Sequence, residues 1–220
     1  MSPIYLGNTE VSKVYKGTTE VSQAYLGTNT LLATGPTGTD HFGAITYVGD
    51  RPTNAAKTGM GFQADLIIIK GRSFSDHWSV LDSIRGANVL STNNGNQQAS
   101  FSGFSFDSDG FTVGSSGQAN SNGETHIAWG WKAGGSSTSD ASGDVTANVS
   151  AKTSAGFSIV KYNDGSSSNQ TAAHGLSQAP ELIITKEISN GNDWIVYFTV
   201  VDDSMDFMRL NTTAAKSDSG

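Results

Sequence analysis

The chain has 220 residues, no cysteine and a formal charge of −7, which excludes disulfide staples, thiolate metal sites and a cysteine nucleophile. The acidic balance argues against a phosphate-binding surface, because affinity for nucleic acid rests on clustered Lys and Arg. With 26 glycines, abundant Ser, Thr and Asn, and only 15% charged residues, the composition points to many short strands joined by tight turns.

In chain order, the first pattern is a repeat of period ten. Residues 4–32 read IYLGNTEVSK, VYKGTTEVSQ, AYLGTNTLL, with Tyr5, Tyr15 and Tyr25 in register and Gly7, Gly17 and Gly27 likewise. Each unit is an aromatic, a glycine turn and a polar-apolar return, which predicts a minimal hairpin. A ten-residue unit cannot bury its own Tyr and Val. The six repeated Tyr and Gly positions are therefore the expected docking or oligomerisation contacts of a module spanning 1–32, the alternative being a small meander that caps the main body. The N-terminus lacks a basic stretch followed by an apolar one, so no secretion leader is expected, and no apolar run is long enough to cross a membrane.

ATGPTGTD, residues 33–40, is Gly, Pro and Thr punctuation and marks a linker. Beyond it a longer repeat begins. A first copy, 41–134, runs AITYVGD, GFQADLIIIKGRS, DHWSVLDSIRG, ANVLSTNN; a second, 156–220, runs FSIVKYNDG, APELIITKEIS, NDWIVYFTVVDD, DFMRLNTTAA. Tyr47 matches Tyr162, Leu66 to Ile68 match Leu182 to Ile184, Lys70 matches Lys186, Trp78 matches Trp194 and Leu90 matches Leu210. A repeat this long predicts duplicated domains rather than solenoid coils. The first copy continues through FSGFSFDSDGFTVGSS and GETHIAWGWKAG, with Asp109-Gly110 and Asn122-Gly123 as hairpin signals. The second reaches Gly220 where the matching strands should begin, and because a half-sandwich leaves open strand edges, the native chain is expected to continue. Residues 135–155 read as a linker with one short strand at 144–149.

Functional chemistry is sparse. The four histidines, 41, 77, 126 and 174, have no ligand spacing. Asp107 and Asp109 flank what resembles the start of a calcium loop, but the alternation of Phe104, Phe106 and Phe111 makes a hairpin tip the better reading. Asp202-Asp203 are adjacent in a strand pattern and so point to opposite faces. No Gly-x-Ser-x-Gly turn exposes a serine. No catalytic, cofactor or metal residue is assigned. Trp78 and Trp194, equivalent in the repeat, are expected in the core; Trp129 and Trp131, two apart, share one face that is expected to pack in the core as well, with a role as candidate surface aromatics as the alternative. Arg85 is expected to be an exposed loop arginine, with a clamp on Asp82 or on a strand-end carbonyl as the alternative.

GFQADLIIIKGRSFSDHWSVLDSIRGANVLSTNN, FDSDGFTVGSS and GETHIAWGWKAG resemble the repeat domain of structural proteins in tailed phages of marine and cyanobacterial hosts, and the decameric opening is similar to the N-termini of many phage virion proteins. The resemblance covers residues 4–32 and 41–220 and implies a virion location, with no catalytic or cofactor residues to carry over. The fold expected is all-β, with tandem antiparallel β-sandwich or jelly-roll domains behind a short hairpin module. The function expected is a non-enzymatic, tail-associated fibre or adhesin-like component. Its partners would be other virion proteins and a host surface glycan or receptor, in a homo-oligomer for which a trimer is natural. A capsid decoration protein is the alternative, and a glycan-processing enzyme the third reading.

Overall fold

A computed structural model describes the backbone of the paired strands between residues 5 and 33, and residues 40–165, 169–198 and 206–217. The chain divides into two compact units, Met1–Asp40 and His41–Gly220.

In the first unit, β1 (Tyr5–Leu6) pairs with β2 (Thr9–Glu10), β3 (Tyr15–Lys16) with β4 (Thr19–Glu20), and β5 (Gln23–Leu26) with β6 (Asn29–Ala33), all antiparallel. Tyr5 lies opposite Glu10 and Tyr15 opposite Glu20, so successive decapeptides fold in the same register. The ten-residue period is thus the period of a hairpin.

In the second unit, β7 (Phe42–Val48), β9 (Leu66–Gly71), β10 (Ser79–Asp82) and β15 (Thr125–Trp131) form an antiparallel sheet of order β10-β9-β15-β7. A second sheet, order β13-β14-β8, comprises β8 (Ala55–Thr58), β13 (Ser105–Asp107) and β14 (Gly110–Val113). Period-two alternation decides which side chains meet between them. Ile67, Ile69, Leu81 and Ala128 from the first sheet join Phe111 and Val113 from the second, and Phe104 just before β13, in one buried cluster. A fully buried Leu or Phe stabilises the fold by about 1.5–3 kcal/mol, so this sandwich core dominates the unit.

The hairpin expected at Asp109-Gly110 is present, with Asp107 paired to Gly110. Gly110 has φ +142°, and a Cβ there would sit 2.0 Å from the Lys57 carbonyl oxygen of the neighbouring strand, so only glycine fits. Asp109 accepts the N–H groups of Gly59 and Gly61 at 3.1 and 2.6 Å, while Asp107 accepts the Ser105 and Thr112 hydroxyls at 2.9 and 2.7 Å. The two carboxylates thus brace different turns. Asn122-Gly123, by contrast, is not a hairpin turn. It links the short helix α1 (Gly117–Asn120) to β15, because the buried Asn120 amide captures this region instead. Asn120 accepts from Asp50 N–H at 3.0 Å and donates to the Thr53 and Gly114 carbonyls at 3.1 and 3.0 Å.

Arg85 corrects the expectation of an exposed loop residue. Its side chain is 6% exposed; Nε meets Asp82 Oδ2 at 2.5 Å, and the two terminal nitrogens donate to the Asn88 and Val80 carbonyls at 3.0 and 3.2 Å. The turn after β10 folds back over β11 (Asn88–Val89), itself paired with β12 (Ala99–Ser100), which brings three acceptors to one guanidinium fork.

Residues 135–155, read as a linker with one strand at 144–149, carry two: β16 (Thr138–Asp140) and β17 (Ala147–Lys152), joined by β18 (Phe157–Tyr162) in the order β16-β17-β18. Buried Asp65 fastens this sheet to the sandwich, since its Oδ2 accepts from Ala133 and Gly135 N–H at 2.8 and 3.2 Å. The Ser150 hydroxyl of β17 accepts from Gly134 N–H at 3.0 Å and donates to the Gly135 carbonyl at 2.8 Å. Finally β19 (Leu182–Thr185), β20 (Ile195–Phe198) and β21 (Phe207–Arg209) form the sheet β19-β20-β21.

The repeat survives in hydrogen bonding. Leu66 lies opposite Asp82 and Ile68 opposite Val80, as Leu182 lies opposite Phe198 and Ile184 opposite Val196. Trp78 N–H donates to Asn93 Oδ1 at 3.2 Å, and Trp194 N–H to Asn211 Oδ1 at 2.9 Å. Lys70 Nζ ties down the Asp76 carbonyl at 2.9 Å, and Lys186 Nζ the Asn190 carbonyl at 3.2 Å. One equivalence needs correcting. Leu90 bridges Val80, and the residue opposite Val196 is Met208, not Leu210. The sequence match was drawn on residue type, whereas strand register places the two leucines two positions apart.

Candidate functional site

The outward face of the sheet β10-β9-β15-β7 carries two aromatic pairs, Trp78 with Trp129 and Phe42 with Trp131. In β15, His126, Ala128 and Gly130 are buried while Thr125, Ile127, Trp129 and Trp131 are half-buried on the other side. Trp129 is paired with Ile68 and Ala44, and Trp131 with Leu66 and Phe42. Gly130 makes this division possible, because a Cβ there would lie 2.5 Å from Met60 Sδ, which fills the core behind the two tryptophans.

Trp78, just ahead of β10, stacks on Trp129 with centroids 5.5 Å apart and planes at 17°; Trp131 tilts against Phe42 at 5.1 Å and 56°. Together with Ile68 and Leu210 these rings line an open groove of about 630 Å³. Polar character enters from Thr92 and Asn93. Asn93 is already engaged by the Trp78 N–H and lies 2.9 Å from His77 Nδ1. Such a surface offers stacking and apolar contact with sparse hydrogen bonding.

The two candidate surface aromatics, Trp129 and Trp131, are therefore half-buried neighbours in one groove rather than core residues. Trp78 likewise departs from the expected core placement. Its repeat partner Trp194 is 7% exposed, clustered with Val80 and Leu90, and donates from Nε1 to the Ser91 carbonyl at 2.8 Å. Trp78 instead stands beside β15, whose tryptophan gives it a stacking partner. Phe42 and Leu210 were missed by sequence reasoning. Phe42 could have been found from strand alternation, since it begins β7 on the face opposite Ile45 and Tyr47. Leu210 could not, because its place depends on how the second half folds back. Of the N-terminal positions, Tyr5 and Tyr15 begin their hairpins and Tyr25 lies within β5, whereas Gly7, Gly17 and Gly27 lie outside the described residues. Asp202 and Asp203 also lie outside them.

A second polar group lies inside the sandwich. Tyr47 OH donates to the Ala119 carbonyl at 2.7 Å, and its ring stacks on His126 at 5.1 Å and 8°. Burial pushes the Tyr47 phenol far above its ordinary range, with the Asp50 charge adding to the shift. Lys57 Nζ sits 5.2 Å over the same ring and 3.0 Å from Asp50, whose carboxyl is held low first by that hydrogen bond. His126 has Nδ1 3.1 Å from the Glu124 carbonyl and Nε2 buried without a partner among the described atoms; burial lowers its pKa. With His126 wholly enclosed, this cluster braces the interior rather than meeting a ligand. No group of three or more His, Asp or Glu among the described residues is placed to hold a metal ion.

These features define an all-β protein with an open aromatic groove on one sheet face. The chain belongs to the family described as Domain of unknown function (DUF7483), whose model matches residues 37–220. No curated protein and no solved structure matches it.

Proposed function

We propose that the chain is a non-enzymatic structural component of a tailed-phage particle, tail-associated and adhesin-like, anchored by its N-terminal decapeptides and working as a homo-oligomer. The contact role is carried by the groove: Trp78, Trp129, Trp131 and Phe42 present flat apolar surface at an open site, which suits repeated weak stacking against a host-surface glycan or receptor. Placement on a particle rests on the sequence resemblance, and the hairpins at ten-residue spacing supply a docking module that needs a partner to bury its side chains.

The test is a cryo-EM map of the intact particle that locates the chain and counts its copies. Density at the tail, with residues 4–32 buried against another protein, is the expected result. Density across the capsid lattice would replace the reading with decoration, and absence from the particle would remove it. For the groove itself, Trp129→Ala should lower retention of the purified protein on host cell envelopes, while glycan degradation by that protein would overturn the non-enzymatic reading.

A further inference from the structure

Hydrogen-bond direction shows what each backbone edge of β7 does. Gly49 N–H donates to the Glu124 carbonyl at 2.8 Å and Lys132 N–H to the His41 carbonyl at 2.9 Å. Those bonds fix the phase of the β7–β15 ladder, whose partners run from Phe42 opposite Trp131 to Val48 opposite Thr125. In an antiparallel ladder every second residue bonds to the neighbouring strand, so Gly43, Ile45 and Tyr47 aim their N–H and C=O groups at β15. Phe42, Ala44, Thr46 and Val48 aim theirs the other way, and among the described residues none of these backbone groups has a hydrogen-bond partner.

Sheet edges are usually blunted by a charge, a proline, a bulge or a covering segment. The opposite edge of this sheet is covered, since Leu90 exchanges backbone hydrogen bonds with Val80 of β10 at 2.8 and 3.0 Å. β7 has seven residues, FGAITYV, with no charge and no proline, and its register with β15 is unbroken. The residues that carry the free backbone groups also have exposed side chains, Phe42 at 43% and Val48 at 57%. An uncharged strand with unpaired backbone and apolar ends is a surface that another strand can extend.

The strand is complementary to itself. Laid antiparallel to a copy about a two-fold axis at Ile45, it sets Phe42 opposite Val48 and Ala44 opposite Thr46 of the second copy, and each such pair exchanges both of its backbone hydrogen bonds. Exposed Phe42 then covers exposed Val48 at either end. A two-residue slip in one direction would set Val48 against Asp40, and in the other Phe42 against Asp50, so the apolar match favours the central register.

We propose that two copies of the chain pair edge to edge through β7 in this register, joining their four-stranded sheets into one. The outward faces become continuous, which places two aromatic grooves on one surface and multiplies weak contacts. This names one interface of the homo-oligomer proposed above but rests on the β7 edge, so its failure would leave the placement on a particle and the docking of the decapeptides standing.

The experiment takes the full 220-residue chain through sedimentation velocity over a range of concentrations, with amide exchange at both ends of the range. Expected is a monomer–dimer equilibrium in which the amides of Phe42, Ala44, Thr46 and Val48 slow in the dimer, while those of Gly43, Ile45 and Tyr47 are slow throughout. Thr46→Pro deletes an N–H that points away from β15, and should weaken the dimer by about tenfold or more. Register is read by disulfide trapping, in a chain with no cysteine of its own. Ala44→Cys mixed with Thr46→Cys should cross-link, because opposed Cα atoms of a hydrogen-bonded pair lie about 5.5 Å apart, within disulfide reach. Either variant alone should link far more slowly. A chain that stays monomeric would overturn the proposal, as would a dimer in which the four outward amides still exchange fast. Protection of those amides in the monomer would also overturn it, by assigning the edge to another segment of the same chain.

Discussion

Two halves that share strand order and register bury their equivalent side chains very differently. Ile67 and Ile69 are fully enclosed because Phe111 and Val113 of β14, with Phe104 just before β13, lie across the sandwich. In the second half the counterparts Ile183 and Thr185 stay half-buried, and the described residues contain no second sheet over them. Val80 and Leu90 are covered by Trp194, whereas Met208, opposite Val196 as Leu90 is opposite Val80, is 42% exposed. Strand pattern sets which face a residue takes; what lies on that face depends on elements far away in the chain.

Mutations placed in each of the two halves sharpen this contrast. The largest effect is expected inside the sandwich, where Phe111 and Leu81 have no exposed surface. Phe111→Ala and Leu81→Ala should each lower unfolding free energy by about 3–5 kcal/mol, measured by denaturant titration. Leu182→Ala, at a half-exposed edge, should cost under about 1 kcal/mol. Equal losses at Leu81 and Leu182 would mean that the second half is covered in solution.

The arginines give the next step down. Arg85 and Asp82 form a buried pair with side chains 6% and 10% exposed, while Arg209 and Asp193, 3.1 Å apart, are 34% and 38% exposed. Arg85→Ala strands a buried carboxylate and should cost about 3 kcal/mol or more. Arg209→Ala breaks a pair that water already screens and should cost under about 1 kcal/mol. Trp194→Ala should follow at about 3 kcal/mol. It removes the ring that packs the second half onto Val80 and Leu90, so the two halves should then melt separately in a calorimetric scan. Trp78→Ala, losing a half-exposed stacked ring, should cost about 1 kcal/mol and leave a single transition.

Much of this architecture could be read from the sequence, and the misses share a cause. The decapeptides announced their hairpins because turn glycine and strand pattern lie within ten residues. The repeat positions of Trp78, Trp194, Lys70 and Lys186 were legible because strand register is local. Arg85 was misjudged because its partners, the carbonyls of Val80 and Asn88, meet it only once the turn has folded back. Trp78 was misjudged because sequence equivalence does not specify which tertiary neighbour arrives, Trp129 for one ring and Val80 with Leu90 for the other. Of the groove, Trp129 and Trp131 were visible as an i, i+2 pair in a strand. Leu210 arrives from residues that only the tertiary structure brings near.

The smallest expected effect lies in the pH dependence of the first half. His126 is enclosed, stacked between Tyr47 and the edge of Phe74, and its pKa is lowered first by burial and then by the charge of Lys57, with the Glu124 carbonyl and carboxylate opposing. The folded protein therefore resists protonating an imidazole that the unfolded chain protonates near its ordinary 6.5. Stability from this group is fully present above that pH and declines as pH falls below it, because the unfolded state then binds more protons. The carboxyls held low by hydrogen bonds, Asp144 by Thr171 and Glu187 by Asn190, act further down, below their ordinary 3.8 and 4.5. A melting series from pH 7.5 to 5 thus isolates the histidine. The midpoint should fall on acidification, and His126→Gln, though less stable at every pH, should show a flatter profile. A slope unchanged by that substitution would mean that a group other than His126 carries the pH dependence.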